Sequence, residues 1–322
     1  MKIVIPGGSG QVGTLLTRTF QRDGHEVVIL SRRPKHSTCR VVEWDAERVG
    51  DWVAELDGAD VVFNLAGRSV DCRYGKRNRR LIMESRVNST RVVGQGISRC
   101  TVPPRVWLQA STATIYSHRY DAPNDEMSGT LGGSEDDVPE TWKFSIDVAK
   151  AWEQAALDAS VPGTRQVLLR SAMTMSPDRG GVFDVLRRLT LAGLGGTIGD
   201  GRQYVSWIHE QDFVNAIYWL IDREEFDGAV NLASPNPLPY AEFMRHLRTA
   251  CGVRFGLPAR RWMVEVGTFL MRTESELILK SRRVVPRRLL DSGFRFEFPD
   301  WADAASELCI RKGPADAMRN GD

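Results

Sequence analysis

The chain has 322 residues, of which 42% are hydrophobic and 26% charged, and it carries a formal net charge of +2. That composition fits a soluble globular protein of one large domain or two, and the near-neutral balance argues against a nucleic-acid-binding protein. No apolar run is long enough to span a bilayer, so no membrane partner is expected. The five cysteines are scattered without a Cys-x-x-Cys pair, and the five histidines show no metal-ligand spacing. Free thiols in a reducing, cytoplasmic compartment and no metal are therefore expected. The chain opens on a predicted strand, so no signal peptide is expected.

Ile3-Val4-Ile5 predicts a strand buried on both faces. Gly7-Gly-Ser-Gly-Gln-Val-Gly13 follows, and Val12, Leu15, Leu16 and Phe20 then recur at helical spacing. Strand, glycine turn and helix make the first unit of a dinucleotide-binding fold. Gly7 permits the tight turn, Gly10 removes a Cβ that would block a pyrophosphate, and Gly13 lets the helix pack close to the strand. The helix start then offers backbone N–H groups to phosphate.

The second strand is Glu26–Leu30, and Ser31-Arg32-Arg33 follows it where an NAD-type site carries an acid. Two guanidinium groups suit a 2′-phosphate, which favours NADP(H) over NAD; the alternative is a solvated basic loop. Val41–Asp45 reads as a third strand, with Asp45 bounding an adenine pocket or capping the strand end. Ala59–Gly67 is a fourth strand and its turn, where the small residues Ala66 and Gly67 allow backbone to approach a cofactor. A long basic helix spans 76–100, and Arg86 and Asn88 stand out inside its more apolar pattern.

Val106–Ala110 is the fifth strand, ending in Ser111-Thr-Ala-Thr-Ile-Tyr116 at the strand end where ligands bind in such sheets. Residues 118–139 read as a polar surface loop with the character of a lid. Pro139 opens a helix through Glu153, and Gln166–Arg170 is the sixth strand. The alternation implies an α/β, Rossmann-like, doubly wound parallel sheet. Further helices are expected at 184–194, from Asp212 to about 220, at 240–251 and at 260–272. Between the first two of these lies a glycine-rich, aromatic stretch with Arg202, Gln203, Trp207 and His209. It is either a pocket wall for a small-molecule substrate or a strained connection around a buried Trp. Residues 285–296 form a compact C-terminal element, and the chain is expected to fray from Arg311 onward.

The glycine loop, Asn64–Gly67 and the hydroxyls at 111–112 resemble the extended short-chain dehydrogenase/reductase superfamily. Glu84–Thr90, Trp152–Ala156, Leu194–His209 and Val285–Phe296 are similar to its atypical "epimerase family" members. Those proteins are labelled NAD-dependent epimerase/dehydratase and carry a small C-terminal domain of unknown function. The resemblance implies an NADP(H)-binding domain over 1–180, with segments near 205–235 returning to its sheet. It implies a mainly substrate-side region over 181–310 and a tail over 311–322. It also implies cofactor contacts from the loop residues Gly7, Ser9, Gly10, Gln11, Val12 and Gly13, from Ser31 and Arg32, and from Leu65, Ala66 and Arg86. Thr174 would line the nicotinamide side.

Typical superfamily members use a Tyr and a Lys four residues later on the helix after the fifth strand. None of the six tyrosines here has Lys four residues on, and alignment by Glu153 places Ser145 and Ala149 at the pair's positions. Two readings follow. The first is an oxidoreductase or nucleotide-sugar-epimerase-like enzyme, in which Thr112 holds the substrate oxygen and Tyr116 or His209 supplies the proton. Arg202, Gln203 and Trp207 would then face a small polar substrate; His209 is otherwise a structural histidine. The second is an NADP(H)-binding redox sensor without turnover.

Overall fold

The computed structural model describes residues 1–34, 37–135, 138–259 and 276–312. The chain folds as two units. The first holds Met1–Ile115, Gly133–Ser171 and Val214–Val230; the second holds Tyr116–Gly132, Ala172–Phe213 and the chain from Asn231. The expected division at 180 is thus more interleaved. Residues 116–132 group with the second unit, and 214–230 return to the first.

The first unit is a seven-stranded parallel sheet flanked by helices. Its strands are β1 (Lys2–Pro6), β2 (Glu26–Ser31), β3 (Arg40–Glu43), β4 (Val61–Asn64), β5 (Val106–Thr112), β6 (Arg165–Ser171) and β10 (Gly228–Leu232). The order β10-β6-β5-β4-β1-β2-β3 puts β4 at the centre with β1 beside it, and the winding reverses between β1 and β4. Ligands in open α/β sheets bind outside the carboxyl ends of the strands at such a reversal. Ile3, Val4 and Ile5 are wholly buried, as strands covered on both faces require.

Helices covering this sheet include α1 (Gln11–Arg22), α2 (Lys76–Ile97) and α3 (Glu140–Leu157). Leu15, Leu16 and Phe20 form the buried stripe of α1. Val92 and Val93 of α2 pack with Val4, Val62 and Trp107 of the sheet. The returning segment is stapled by Arg165, whose guanidinium donates to Phe226 O at 2.6 Å and Leu220 O at 2.8 Å.

The second unit is built on two small sheets. β7 (Met173–Met175) runs parallel to β9 (Trp207–His209), and β8 (Tyr204–Val205) is antiparallel to β11 (Leu238–Pro239). Its helices are α4 (Val182–Leu191), α6 (Tyr240–Ala250), the short α7 (Glu276–Leu279) and α8 (Arg287–Asp291), and α9 (Trp301–Lys312). α5 (Glu210–Asp222) starts in this unit and ends in the other. Phe183, Trp207, Phe243 and Trp301 form the core, with the Phe243 and Trp301 rings stacked at 4.1 Å.

Asp212, wholly buried, holds the 294–298 segment: its two carboxylate oxygens accept Glu297 N–H at 2.7 Å and Phe298 N–H at 3.0 Å. Burial pushes its carboxyl above the usual carboxylate range, against the pull of those two N–H groups. Asparagine offers one acceptor oxygen in place of two. Asp212→Asn is therefore expected to cost roughly 1–3 kcal/mol, read from urea unfolding, and an unchanged midpoint would remove the clamp from the account.

Two sequence expectations change here. Within the 118–139 stretch, residues 124–128 are tied down rather than loose. Asn124, wholly buried, donates its N–H to Arg283 O at 2.7 Å and accepts from Val285 N–H at 3.0 Å. Asp125 caps a turn through Met127 N–H at 2.7 Å and the Ser128 backbone and hydroxyl. The fraying expected from Arg311 also does not start there. Arg311 pairs with Glu210 at 2.7 Å, and the Lys312 ammonium meets the buried Asp184 carboxylate and Pro177 O. The helix expected at 260–272 and the tail from residue 313 lie outside the described residues.

Candidate cofactor site

The glycine loop joins β1 to α1. Gly7 has φ of +77°, and a Cβ there would stand 2.5 Å from Ala66 Cα, so the loop and the β4 turn touch backbone to backbone. A Cβ on Gly13 would stand 2.3 Å from Gly8 O, which corrects its expected role in one detail: α1 closes on the loop's own backbone rather than on the strand. Gly10 differs from both. A Cβ built there meets nothing within 4 Å, and its backbone, at φ −84° and ψ 179°, suits any residue.

Gly10 is also the residue before the first turn of α1, which has no side-chain cap and no acidic residue. Gln11 adds a buried amide nitrogen, Nε2, with no hydrogen-bond partner. Ser9 is exposed, and Val12 is half-buried beside Gln11. Open space, uncapped N–H groups and an unused donor at one helix start fit an anionic group.

Ser31 closes β2, is buried, and accepts Arg33 N–H on its hydroxyl at 3.3 Å. The Arg32 and Arg33 side chains are exposed just beyond it. Asp45 follows β3. Its Oδ1 accepts the N–H groups of Glu47 and Arg48, both at 2.8 Å, and these bonds hold its carboxyl below the usual range. Of the two alternatives for Asp45, this geometry is that of the strand-end cap.

At the end of β4, Asn64 is wholly buried. Its Nδ2 donates to Gln109 Oε1 at 2.9 Å and Thr90 Oγ1 at 3.3 Å, and its Oδ1 accepts Ala66 N–H at 3.1 Å. This fixes the Leu65-Ala66-Gly67 turn. Leu65 is half-buried, Ala66 is buried and Gly67 is exposed. Arg86 of α2 lies against Gly67: a Cβ on that glycine would be 3.3 Å from its Cγ and Cζ. The guanidinium donates to Arg68 O at 3.0 Å and Ile82 O at 3.2 Å, and its carbon lies 4.9 Å from the Trp152 ring. Burial lowers its pKa to about 10, so it stays cationic at neutral pH.

At the end of β5, Thr112 is half-buried, and its Oγ1 accepts Thr114 N–H at 3.2 Å. That contact takes a lone pair and leaves the hydroxyl proton to be donated elsewhere. Ser111 beside it is buried and donates to Glu153 Oε1 at 2.6 Å; Glu153 in turn receives Arg170 in a bidentate pair, both contacts at 2.8 Å. The sequence pointed to no such group. Its signal was a lone acid on an apolar helix face and a lone Arg ending an apolar strand. At the positions of the missing Tyr/Lys pair, Ser145 turns its hydroxyl onto Thr141 O at 3.4 Å, and Ala149 is wholly buried.

The remaining candidates belong to the second unit. Tyr116 is 2% exposed and donates its hydroxyl to Asn231 Oδ1 at 2.9 Å. His209 is 1% exposed; Nδ1 accepts Gln211 N–H at 3.1 Å, Nε2 lies 3.0 Å from Glu307 Oε2, and the ring lies 4.0 Å from that of Phe298. Both nitrogens are thus engaged, the arrangement of a structural histidine. Trp207 is core rather than pocket wall, and Gln203 is buried with its Nε2 3.3 Å from Ile198 O. Arg202 is exposed, its guanidinium 6.0 Å from the Tyr120 ring centroid. Thr174 is half-buried on β7, paired with Ile208. Among the described residues no cluster of His, Cys, Asp or Glu suits a metal ion, and no helix is long and apolar enough to cross a membrane.

Comparison with known proteins bears on this geometry. Epimerase family protein YfhF of Bacillus subtilis is 31% identical over 311 residues, covering 96% of this chain and 98% of its own. The crystal structure of human epimerase family protein SDR39U1 with NADPH matches with a TM-score of 0.83 at 28% identity, over 96% of this chain and 99% of that one. A nucleoside-diphosphate sugar epimerase from Corynebacterium glutamicum matches at 0.75 and 28% identity, over 98% of this chain and 59% of that chain. Residues 261–308 match a domain of unknown function, DUF1731. Residues 3–233 match the model of the NAD dependent epimerase/dehydratase family, and the chain belongs to that family.

Proposed function

We propose that the protein is an NADP(H)-dependent oxidoreductase or epimerase-like enzyme acting on a small polar substrate. The observation that carries the reading is the opening at Gly10, where a Cβ would meet nothing at an uncapped, acid-free helix start. The similar human protein solved with NADPH supports it. The Gly7–Gly13 loop, with Ser9, Gln11 and Val12, would hold the pyrophosphate. Ser31, Arg32 and Arg33 would hold the 2′-phosphate, and Leu65, Ala66, Gly67 and Arg86 would border the cofactor. When bound, the nicotinamide supplies or accepts a hydride. Thr112 Oγ1 donates its hydrogen bond to the substrate oxygen. Tyr116 and His209 act as positioning residues, because each is buried and bonded within its own unit.

Arg32→Ala is expected to weaken NADPH about 10- to 100-fold, the range for a charge-assisted contact, and to leave NADH binding unchanged. Equal weakening of both in a fluorescence titration would overturn the 2′-phosphate assignment.

The engaged hydroxyl of Tyr116 and the absent Tyr/Lys pair favour a second reading, a non-catalytic NADP(H) sensor. A hydride trace separates the two. The protein is saturated with NADPH deuterated at C4, mixed with a small-metabolite extract and followed by mass spectrometry. Label in a metabolite above a protein-free control supports reduction. Bound cofactor without transfer to any metabolite, and no substrate turnover with the oxidised cofactor, supports the sensor.

A further inference from the structure

Five cysteines are present, and two of them meet. Cys251 ends α6 and Cys309 lies in α9; their sulfurs are 3.5 Å apart across 58 residues of sequence. The other three face oxygen. Cys39 lies 3.2 Å from Ser37 Oγ, Cys72 3.8 Å from Ser69 O and Cys100 3.4 Å from Gly96 O. Cys251 and Cys309 are half-buried, packed at the edge of the second unit's core, so neither is sealed from solvent.

We propose that Cys251 and Cys309 form a reversible disulfide that fastens the C-terminal helix α9 to α6 under oxidising conditions. Closing from contact to a bonded pair takes about 1.5 Å, shared between two side chains. The pair is also electrostatically asymmetric. The hydrogen bond from Cys251 holds the Cys309 thiol below its ordinary range. Burial opposes that shift, and the buried guanidinium of Arg187 on α4 reinforces it. Cys251 is pushed the other way by its bond to Cys309 and by burial. The Arg187 guanidinium, hydrogen-bonded to Cys309, favours the thiolate there, so Cys309 is assigned the first attack and Cys251 the resolving one.

The oxidant class is a peroxide. The Cys309 thiolate attacks one peroxide oxygen, the O–O bond breaks, and the released hydroxide takes a proton to leave as water. The sulfur is now a sulfenic acid. Cys251 loses its proton, attacks that sulfur and displaces the second hydroxide, which takes the Cys251 proton. Two thiols have given two electrons, and two waters have formed. A dithiol reductant reverses the step. The new bond closes a long loop, which restricts the unfolded chain more than the folded one.

The full chain is treated with hydrogen peroxide, alkylated, digested and analysed by mass spectrometry. The expected result is an intramolecular Cys251–Cys309 peptide pair, two fewer titratable thiols, and a melting temperature higher by roughly 5 °C. Dithiothreitol should reverse all three. Cys309→Ser should abolish the cross-link and the shift, and Cys251→Ser should leave a sulfenic acid on Cys309 that dimedone traps. Oxidation confined to Cys39, Cys72 or Cys100, or cross-links only between molecules, would overturn the proposal. A cross-linked pair with unchanged melting would overturn the fastening.

Discussion

Gly10→Ala is expected to leave the protein folded and to weaken NADPH about 100-fold, roughly 2.7 kcal/mol. The two halves of that result come from one observation. A Cβ at position 10 meets nothing within 4 Å, and φ −84° with ψ 179° is ordinary for alanine, so the folded chain gives up nothing. The same methyl group projects into the space at the start of α1 where an anion would gain the uncapped N–H groups. The prediction therefore separates a binding glycine from a folding glycine. Gly7 is the contrast: its Cβ would collide with the Ala66 backbone at 2.5 Å, at φ +77°, so Gly7→Ala damages fold and binding together. Fluorescence titration with NADPH, alongside a melting curve, reads both halves. Full affinity in folded Gly10→Ala would remove the pyrophosphate from the loop and take the proposed function with it.

The parts of the site legible in the sequence were those carried by local spacing. The positive φ of Gly7, the open helix start at Gly10 and the contact of Gly13 with Gly8 follow from neighbours a few residues away, whereas the approach of Ala66 to Gly7 does not. The order of strands and helices through β6 was legible for the same reason, since each element buries a periodic face. The stretch 194–209 was not. Glycines, aromatics and polar groups mark a pocket wall and a tightly folded connection equally well, and what decides is where Trp207 and His209 find partners. Those partners, Trp301 at 5.0 Å and Glu307 at 3.0 Å, lie almost a hundred residues further on, in α9. The 118–139 loop failed in the same way. Asn124 and Asp125 look like solvated turn residues until the backbone of Arg283 and Val285 is brought against Asn124.

The last of these long-range groups carries the second large prediction. Glu153 of α3 and Arg170 of β6 form a bidentate pair with side chains only 7% and 11% exposed, and Ser111 donates to the same carboxylate. Both ions have largely left water, and they face each other through two parallel hydrogen bonds. Glu153→Gln keeps the shape but removes the charge that two of the buried Arg170 guanidinium's N–H groups meet. Removing one partner of such a pair costs about 3–5 kcal/mol, a large share of the ~5–15 kcal/mol that holds a typical domain. Urea unfolding should show that loss as a lowered midpoint with unchanged slope. Replacing both, Glu153→Met with Arg170→Met, should recover most of it, because an apolar pair of similar volume needs no solvation. A single-variant loss under about 1 kcal/mol would place the pair in effective contact with water. The position of Ser111 beside Thr112 gives the group a further consequence. The pair holds the end of β5, so the single variant should disturb the strand end that carries the proposed substrate hydroxyl, while the glycine loop, on β1, keeps its NADPH affinity.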